Sequence, residues 1–430
     1  MRQNLLETYS RQLKVAEAYV AKNFDGKTIS SNTALTTAVL LDNTNRWMTE
    51  SVNMVAGGSR GDMGEWKKFC LNLTNIAVPS LIANDLVIVH PMTSYSGSVA
   101  YLEYVAATEK GDMKGRMLNS VFAHGEMDEA RINYTTPVVV ETLKADKEGK
   151  VKPMFDAVVN GFGEGKTYKV NGVYVDEKYV PTADDKIAYK SAEFQMDHVP
   201  AKQIPSIRPV MKNIPLVAEP RRIAVKYDQI TAFQAKTDYG FSLDKQIAEQ
   251  ACGELAYEID TEIVDMLYQA AFKKVEDGME WSKTLPAGVS KFEHYNGFLE
   301  VVEQAKAIIY NRTKKFHPNY MVIASDVLPV LRFINGFTAV KNAKMNGPYK
   351  VGELDGLNVY VSPILGKGEF FLGLNGNDMM SSAGVYAPYM AIVPTQLLGT
   401  PDGALQQGFS TWYAKALLNE LLLVSGKIVD

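Results

Sequence analysis

The stretch NGFGEGKTYKV, residues 160–170, comes nearest to a reaction site in this 430-residue sequence. A phosphate-binding loop has the form GxxxxGK[ST]. Its glycines let backbone N–H groups wrap the phosphates, and the helix after it points its N-terminus at them. Gly165, Lys166 and Thr167 fit that form, but Asn160 stands where its first glycine belongs. The residues beyond Thr167, YKVNGVYVDEKYV, alternate like a strand, so the required helix is not expected. The stretch reads as a glycine-rich hairpin turn. A nucleotide-binding enzyme built on 160–167 is kept as the minor alternative.

Other chemistry-bearing residues are dispersed. His90, His124, His198, His294 and His317 show neither HxxxH nor HExxH spacing. HGEMDE, from His124 to Glu129, gathers oxygen and nitrogen donors, yet it has the composition of a solvated acidic turn. Cys70 and Cys252 form no CxxC pair and have no histidine nearby in sequence, which predicts a reducing compartment rather than a disulfide framework. No GxSxG elbow is present. The RGD at Arg60–Asp62 spells an integrin-binding tripeptide, but the N-terminal MRQNLLETYSRQLKV lacks the apolar run of a secretory signal. No catalytic, cofactor-binding or metal-binding residue is assigned, and no cofactor is expected.

Composition narrows the classes further. A formal net charge of -4 argues against a general nucleic-acid binder, which carries a basic excess. No apolar run approaches the roughly 18 residues that span a bilayer. A chain of this length predicts two or three domains.

The elements that must position whatever this chain uses are clearer. Residues 1–23 carry Leu5, Leu6, Tyr9, Leu13, Ala16, Tyr19 and Val20 at the spacing of an amphipathic helix. Residues 24–60, rich in Asn, Thr and Ser, predict an extended arm with little core of its own. Residues 91–227 read as β-rich, and Pro205, Pro209, Pro215 and Pro220 predict an extended edge or arm from Ile204 onward. Leu243, Ile247, Ala251, Leu255, Ile259, Ile263, Leu267 and Ala271 form an unbroken i, i+4 row, with Ser242 placed as cap and Asp244 in the first turn. At ~1.5 Å per residue, a helix over 242–276 would be about 50 Å long, and its row would drift around the axis to meet several partners. Gly253 in its interior marks a close contact or a slight bend. Next along the chain come a second helix (NGFLEVVEQAKAIIYNRTKKF), a strand (NYMVIAS), a short helix (DVLPVLRFI) and closing strands (LNVYVSPIL, EFFLGL, YMAIVPT, WYAKALLNELLLVSG).

IAVPSLIANDLVIVHPMTSYSGSVAYLEY, residues 76–104, resembles the segment of T-even-type phage major head proteins that leads from the N-terminal arm into the extended loop. Ala77 to Asp85, Pro91-Met92 and Gly97-Ser98-Val99 match that family's pattern, with His90 where glutamine is frequent. TDYGFSLDKQIAEQACGELAYEIDTEIVDMLYQAA, NYMVIASDVLPVL and AGVYAPYMAIVPT followed by GFSTWYAKALL resemble further blocks, in the family's order. The likeness covers about 76–140 and 205–425. It implies an α+β, Hong Kong 97-like capsid fold. The expected parts are an N-terminal helix and arm (1–90), an extended loop (91–221) with a small β insertion at about 141–203, a peripheral domain (222–282 and 379–430, spine helix 242–276) and an axial domain (283–378).

The function implied is that of a major capsid protein, not an enzyme. It self-assembles into the icosahedral or prolate head of a tailed phage around double-stranded DNA held without sequence-specific binding. Partners implied are other copies in hexamers, itself or a paralogue in pentamers, and portal, scaffold and decoration proteins; no membrane is involved. The location implied is the virion, after synthesis in the bacterial cytoplasm. An encapsulin-type nanocompartment shell is the alternative on the same fold. Relatives lose an N-terminal segment after hydrophobic-x-Glu, a form found at Leu5-Leu6-Glu7 and Met48-Thr49-Glu50. Residues 1–60 are nonetheless expected to be retained.

Overall fold

The computed structural model describes residues 2–23, 29–54, 70–71, 74–75, 77–107, 138–142, 168–170, 173–175, 182, 184, 186–190, 206–238, 240, 243–273, 279–313, 315–340, 347–376, 378–395, 398–399 and 404–429. The chain forms two compact units, one of residues 1–99 with 214–430 and one of residues 100–213.

In the first unit, helices Arg2–Thr8 and Ser10–Asn23 break at Tyr9, and Tyr9 and Leu13 pack on Ala38 and Leu41. Those last two residues belong to a helix, Ser31–Met54, where the sequence pointed to an extended arm. The composition misled because two of the helix's buried threonines satisfy themselves. Thr36 and Thr37 are fully buried, and each hydroxyl donates to the carbonyl one turn back, Asn32 at 2.9 Å and Thr33 at 2.8 Å. Ala38, Leu40 and Leu41, which follow them, complete the buried face, and Ser30 Oγ receives the Thr33 N–H at the helix start.

Strand Gly384–Pro394 lies antiparallel to Ala404–Leu417, with Ile88–Val89 parallel on its other edge. Pro388 falls at the register shift before Met390, the kind of place where a strand tolerates a residue without a donor. On its far side Ala404–Leu417 carries Glu219–Asp228, paired over ten successive residues from Ala404 to Tyr413. The helix Leu243–Phe272 packs across this sheet, and the predicted row is buried from Ala251 to Ala271. Along its length it meets strands of this sheet, the short helix Ala83–Leu86 and the C-terminal strand, as the drift of an i+4 row requires. Gly253 has open space where a side chain would be, so among the described residues it makes no close contact, the first of its two expected roles. Ser242 lies outside the described residues.

A second sheet runs in the order Phe337–Ala339, Tyr349–Leu354, Leu357–Val361, Tyr320–Ile323, Glu369–Gly373, Val424–Val429, Glu280–Ser282. Tyr349–Leu354 and Leu357–Val361 are joined by Asp355-Gly356, both at positive φ, the two-residue hairpin turn that such a pair favours. Helix Phe298–Thr313 buries Phe298, Val302, Ala305 and Ile309, and Phe298 meets Phe370 edge-on with centroids 5.2 Å apart. The strands Glu280–Ser282 and Val424–Val429 pair within this sheet. It therefore runs past the boundaries expected at 282/283 and 378/379.

The second unit contains a four-stranded antiparallel sheet in the order Val138–Thr142, Lys186–Lys190, Tyr168–Val170, Val173–Val175. Residues 160–167 lie outside the described residues. Immediately after Thr167 the chain forms a strand hairpin, as the alternation predicted.

Candidate assembly interface

Among the described residues, strands Ser96–Ala106 and Ile207–Val217 pair with each other in a two-stranded ribbon. Such a ribbon has little stability in water unless something packs on it. Within residues 100–213, Leu102, Tyr104, Ile207 and Met211 are exposed, Met211 at 71%. The exposed residues of Ile207–Met211 include the odd positions Ile207, Pro209 and Met211, which share a face by the period-two geometry of a strand. An apolar face of this kind on a lone ribbon marks a surface meant to be covered.

The prolines suit this placement. Ser206 C=O accepts from Ala107 N–H, and Ala218 N–H donates to Tyr95 C=O. Even-numbered residues of the second strand therefore face the partner strand. Pro209 and Pro215 fall on the other parity, where no ladder bond is lost.

The root of the ribbon lies in the first unit. Val99, Leu216 and Ala218 are buried with Ile88, Met92, Val385, Ala387 and Ala414. A side chain at Gly97 would meet Met92 Cε at 3.2 Å, so the chain passes tightly over that core. The backbone from 82 to 92 is gripped by polar side chains from distant elements. Asp260 Oδ1, on the long helix, accepts Ala83 N–H at 2.9 Å. Asn375 Nδ2 donates to the carbonyls of Asp85 at 3.0 Å and Val87 at 3.2 Å. Ser382 Oγ accepts Ile88 N–H at 3.1 Å. Asn43 Nδ2, from Ser31–Met54, donates to Met92 C=O and Tyr389 C=O, both at 2.8 Å. Asn375 is itself fixed by a reciprocal pair with Asn319, at 2.9 and 2.7 Å.

The strand that returns from the ribbon is tied down by charge. Arg221 reaches Glu262 of the long helix through Nε at 2.9 Å and Nη2 at 3.2 Å, while Lys415 Nζ reaches the same carboxylate at 2.9 Å. Burial alone would raise the Glu262 carboxyl, but these two cations outweigh it and hold it down at about 2. The Arg221 guanidinium also lies over the Tyr413 ring, 5.4 Å from its centroid.

Among the described residues, those singled out for chemistry do not gather into one site. His294 stacks on Trp281 and His317 on Tyr310, while the backbone N–H of His90 donates to Tyr386 C=O. His124–Glu129, His198 and Arg60–Asp62 lie outside the described residues. Cys70 and Cys252 are buried free thiols, each pushed up to about 12 by burial. No group of three or more metal-ligating side chains occurs among the described residues. A groove of about 530 Å³ on the second sheet is lined by Glu303, Glu353 and Asp355, whose charges are met by Lys306 and Lys350.

Sequence reasoning missed the gripping residues. Asn43, Asn375 and Ser382 act through bonds to backbone atoms tens to hundreds of residues away, and no local pattern encodes that. Asp260 carried one signal, since a carboxylate one position after Ile259 in a buried helical row invites the question of its partner.

A family model described as Major capsid protein Gp23 matches residues 63–429. Two curated proteins, each described as a major capsid protein, are similar along most of their length. The one from Escherichia phage AR1 is 21% identical over 424 residues, covering 84% of this chain and 77% of that protein. The one from Enterobacteria phage T6 is 20% identical, covering 84% and 80%. Chains solved from Mycobacterium phages Bobi and Cain align at 9% and 10% identity with TM-scores of 0.41 and 0.40. They cover 81% and 80% of this chain and 89% and 88% of theirs.

Proposed function

The chain belongs to the family of Gp23 major capsid proteins, and from that membership we propose that its ribbon is the strap by which one copy grips the next in a phage head. The observation that carries this reading is the exposed apolar face formed by Leu102, Tyr104, Ile207 and Met211. A neighbouring copy is the occupant that a self-assembling shell supplies. Straps that cross several neighbours add buried area without a larger core. Contacts that are individually weak gain avidity when a symmetric lattice repeats them. The prolines of the returning strand lower the cost of ordering it.

On this reading the fold is Hong Kong 97-like. The first sheet with the long helix serves as the peripheral domain and the second sheet as the axial domain. Copies assemble as hexamers, with pentamers of this chain or a paralogue, and meet portal, scaffold and decoration proteins. The mild negative charge suits a wall that packaged DNA must slide past, and the chain works by tiling rather than by catalysis. It is made in the bacterial cytoplasm and ends in the virion.

Met211→Asp tests the strap. The charge falls on an exposed side chain, so the subunit keeps its thermal unfolding midpoint, while sedimentation and electron microscopy find few or no closed particles. Particles formed at wild-type yield would refute the strap reading.

A further inference from the structure

Asp260 is the one titratable side chain in the grip on the ribbon's root that is shut away from solvent on the long helix. Its Oδ1 receives Ala83 N–H at 2.9 Å, and the neighbouring Ile82 N–H also favours its charged form. The groups facing it are Asp85, from the short helix Ala83–Leu86, and Tyr386, from strand Gly384–Pro394. Asp85 in turn lies close to Tyr360 on the second sheet and raises its phenol. No cation pairs with Asp260 among the described residues. The carboxyl thus sits dry between the helix, the strap root and the first sheet, with a like charge for a neighbour.

We propose that Asp260 is a proton-operated catch on the root of the ribbon: neutral, it lets residues 82–83 seat against the long helix, and ionised, it draws water into the joint and favours an opened root. The Ala83 and Ile82 N–H groups favour its ionised form, but burial works against that form and dominates. Burial, with a smaller push from Asp85, carries the carboxyl up to about 7. In an opened joint the same carboxyl returns to the ordinary range near ~4. The seated state therefore binds the proton more tightly, and its advantage is full in acid and declines as pH rises from about 4 through 7. The catch rests on the strap reading only for its consequence, since a loosened root would change the angle at which the ribbon meets a neighbour.

Hydrogen exchange of the Ile82 and Ala83 amides in the unassembled full-length chain tests this, with rates expressed as protection relative to an unstructured chain at each pH. Protection is expected to fall about tenfold or more between pH 5 and pH 8, while that of Tyr320–Ile323 stays level. In Asp260→Asn, which keeps an acceptor oxygen and cannot ionise, the fall disappears. Asp85→Asn removes the like charge and retains more protection at pH 8 than the wild type. Flat protection at 82–83 in the wild type would overturn the catch, as would an equal fall in Asp260→Asn. So would an Asp85→Asn profile matching the wild type. Because exchange is read before assembly, a failure here leaves the strap untouched, and wild-type assembly of Met211→Asp leaves the catch untouched.

Discussion

At the scale of single residues, the structure is set by a few close approaches. Tyr320 is buried in the middle of the second sheet with a hydroxyl that has no hydrogen-bond partner among the described residues. Its ring crosses Gly373 on the adjoining strand so closely that a Cβ there would lie 2.3 Å from the hydroxyl and 2.4 Å from Cζ. Gly373 is thus required for space rather than for backbone freedom. Gly373→Ala is expected to cost about 1–3 kcal/mol by overpacking, read as a lower midpoint in urea. Tyr320→Phe, which removes a buried hydroxyl that gains nothing, is expected to be neutral or stabilising by up to about 1 kcal/mol. A clear loss of stability in Tyr320→Phe would mean that the hydroxyl has an ordered partner.

Elements are held to one another by the Glu262 cluster, which joins the long helix to the strands Glu219–Asp228 and Ala404–Leu417. Its carboxylate is bound better in the folded chain than in the unfolded one. The stability it adds is present above about pH 4.5 and is lost as pH falls through 2. Glu262→Gln is expected to lower stability by about 1–2 kcal/mol at pH 7, and the difference from wild type should close as pH approaches 2. A constant difference across that range would mean the charge plays no part. Elements were also where the sequence was most legible. The row from Ala251 to Ala271 named a buried helix because helical periodicity is a local property, and Tyr320–Ile323 and Glu369–Gly373 announced themselves as β-branched and aromatic runs. Ser31–Met54 was not legible, since its burial depends on threonine hydroxyls turning back on their own helix. The grip on residues 82–92 was not legible either, because its members meet only once the sheets are assembled. The exposed ribbon face was foreshadowed by the prolines, but nothing local distinguishes an apolar strand destined for a neighbour from one destined for the chain's own core.

For the whole molecule, the division into residues 1–99 with 214–430 and residues 100–213 carries its own expectation. Deleting residues 146–200 removes three strands of the small sheet and should leave the first unit folded, with its near-ultraviolet circular dichroism and cooperative melt retained. Loss of all soluble protein would show that the two units fold together. A shell subunit made in great numbers faces a further hazard, which is fibre growth by strand-to-strand addition along an open edge. The outward edge of Ile207–Val217 offers N–H donors only at odd positions, and two of those are Pro209 and Pro215. Between them just Met211 and Asn213 can bond outward, too short a run to template another chain. The same two rings that keep the limb straight therefore leave this edge no long seam along which nascent subunits could zip, which helps steer polymerisation to surfaces that close on themselves.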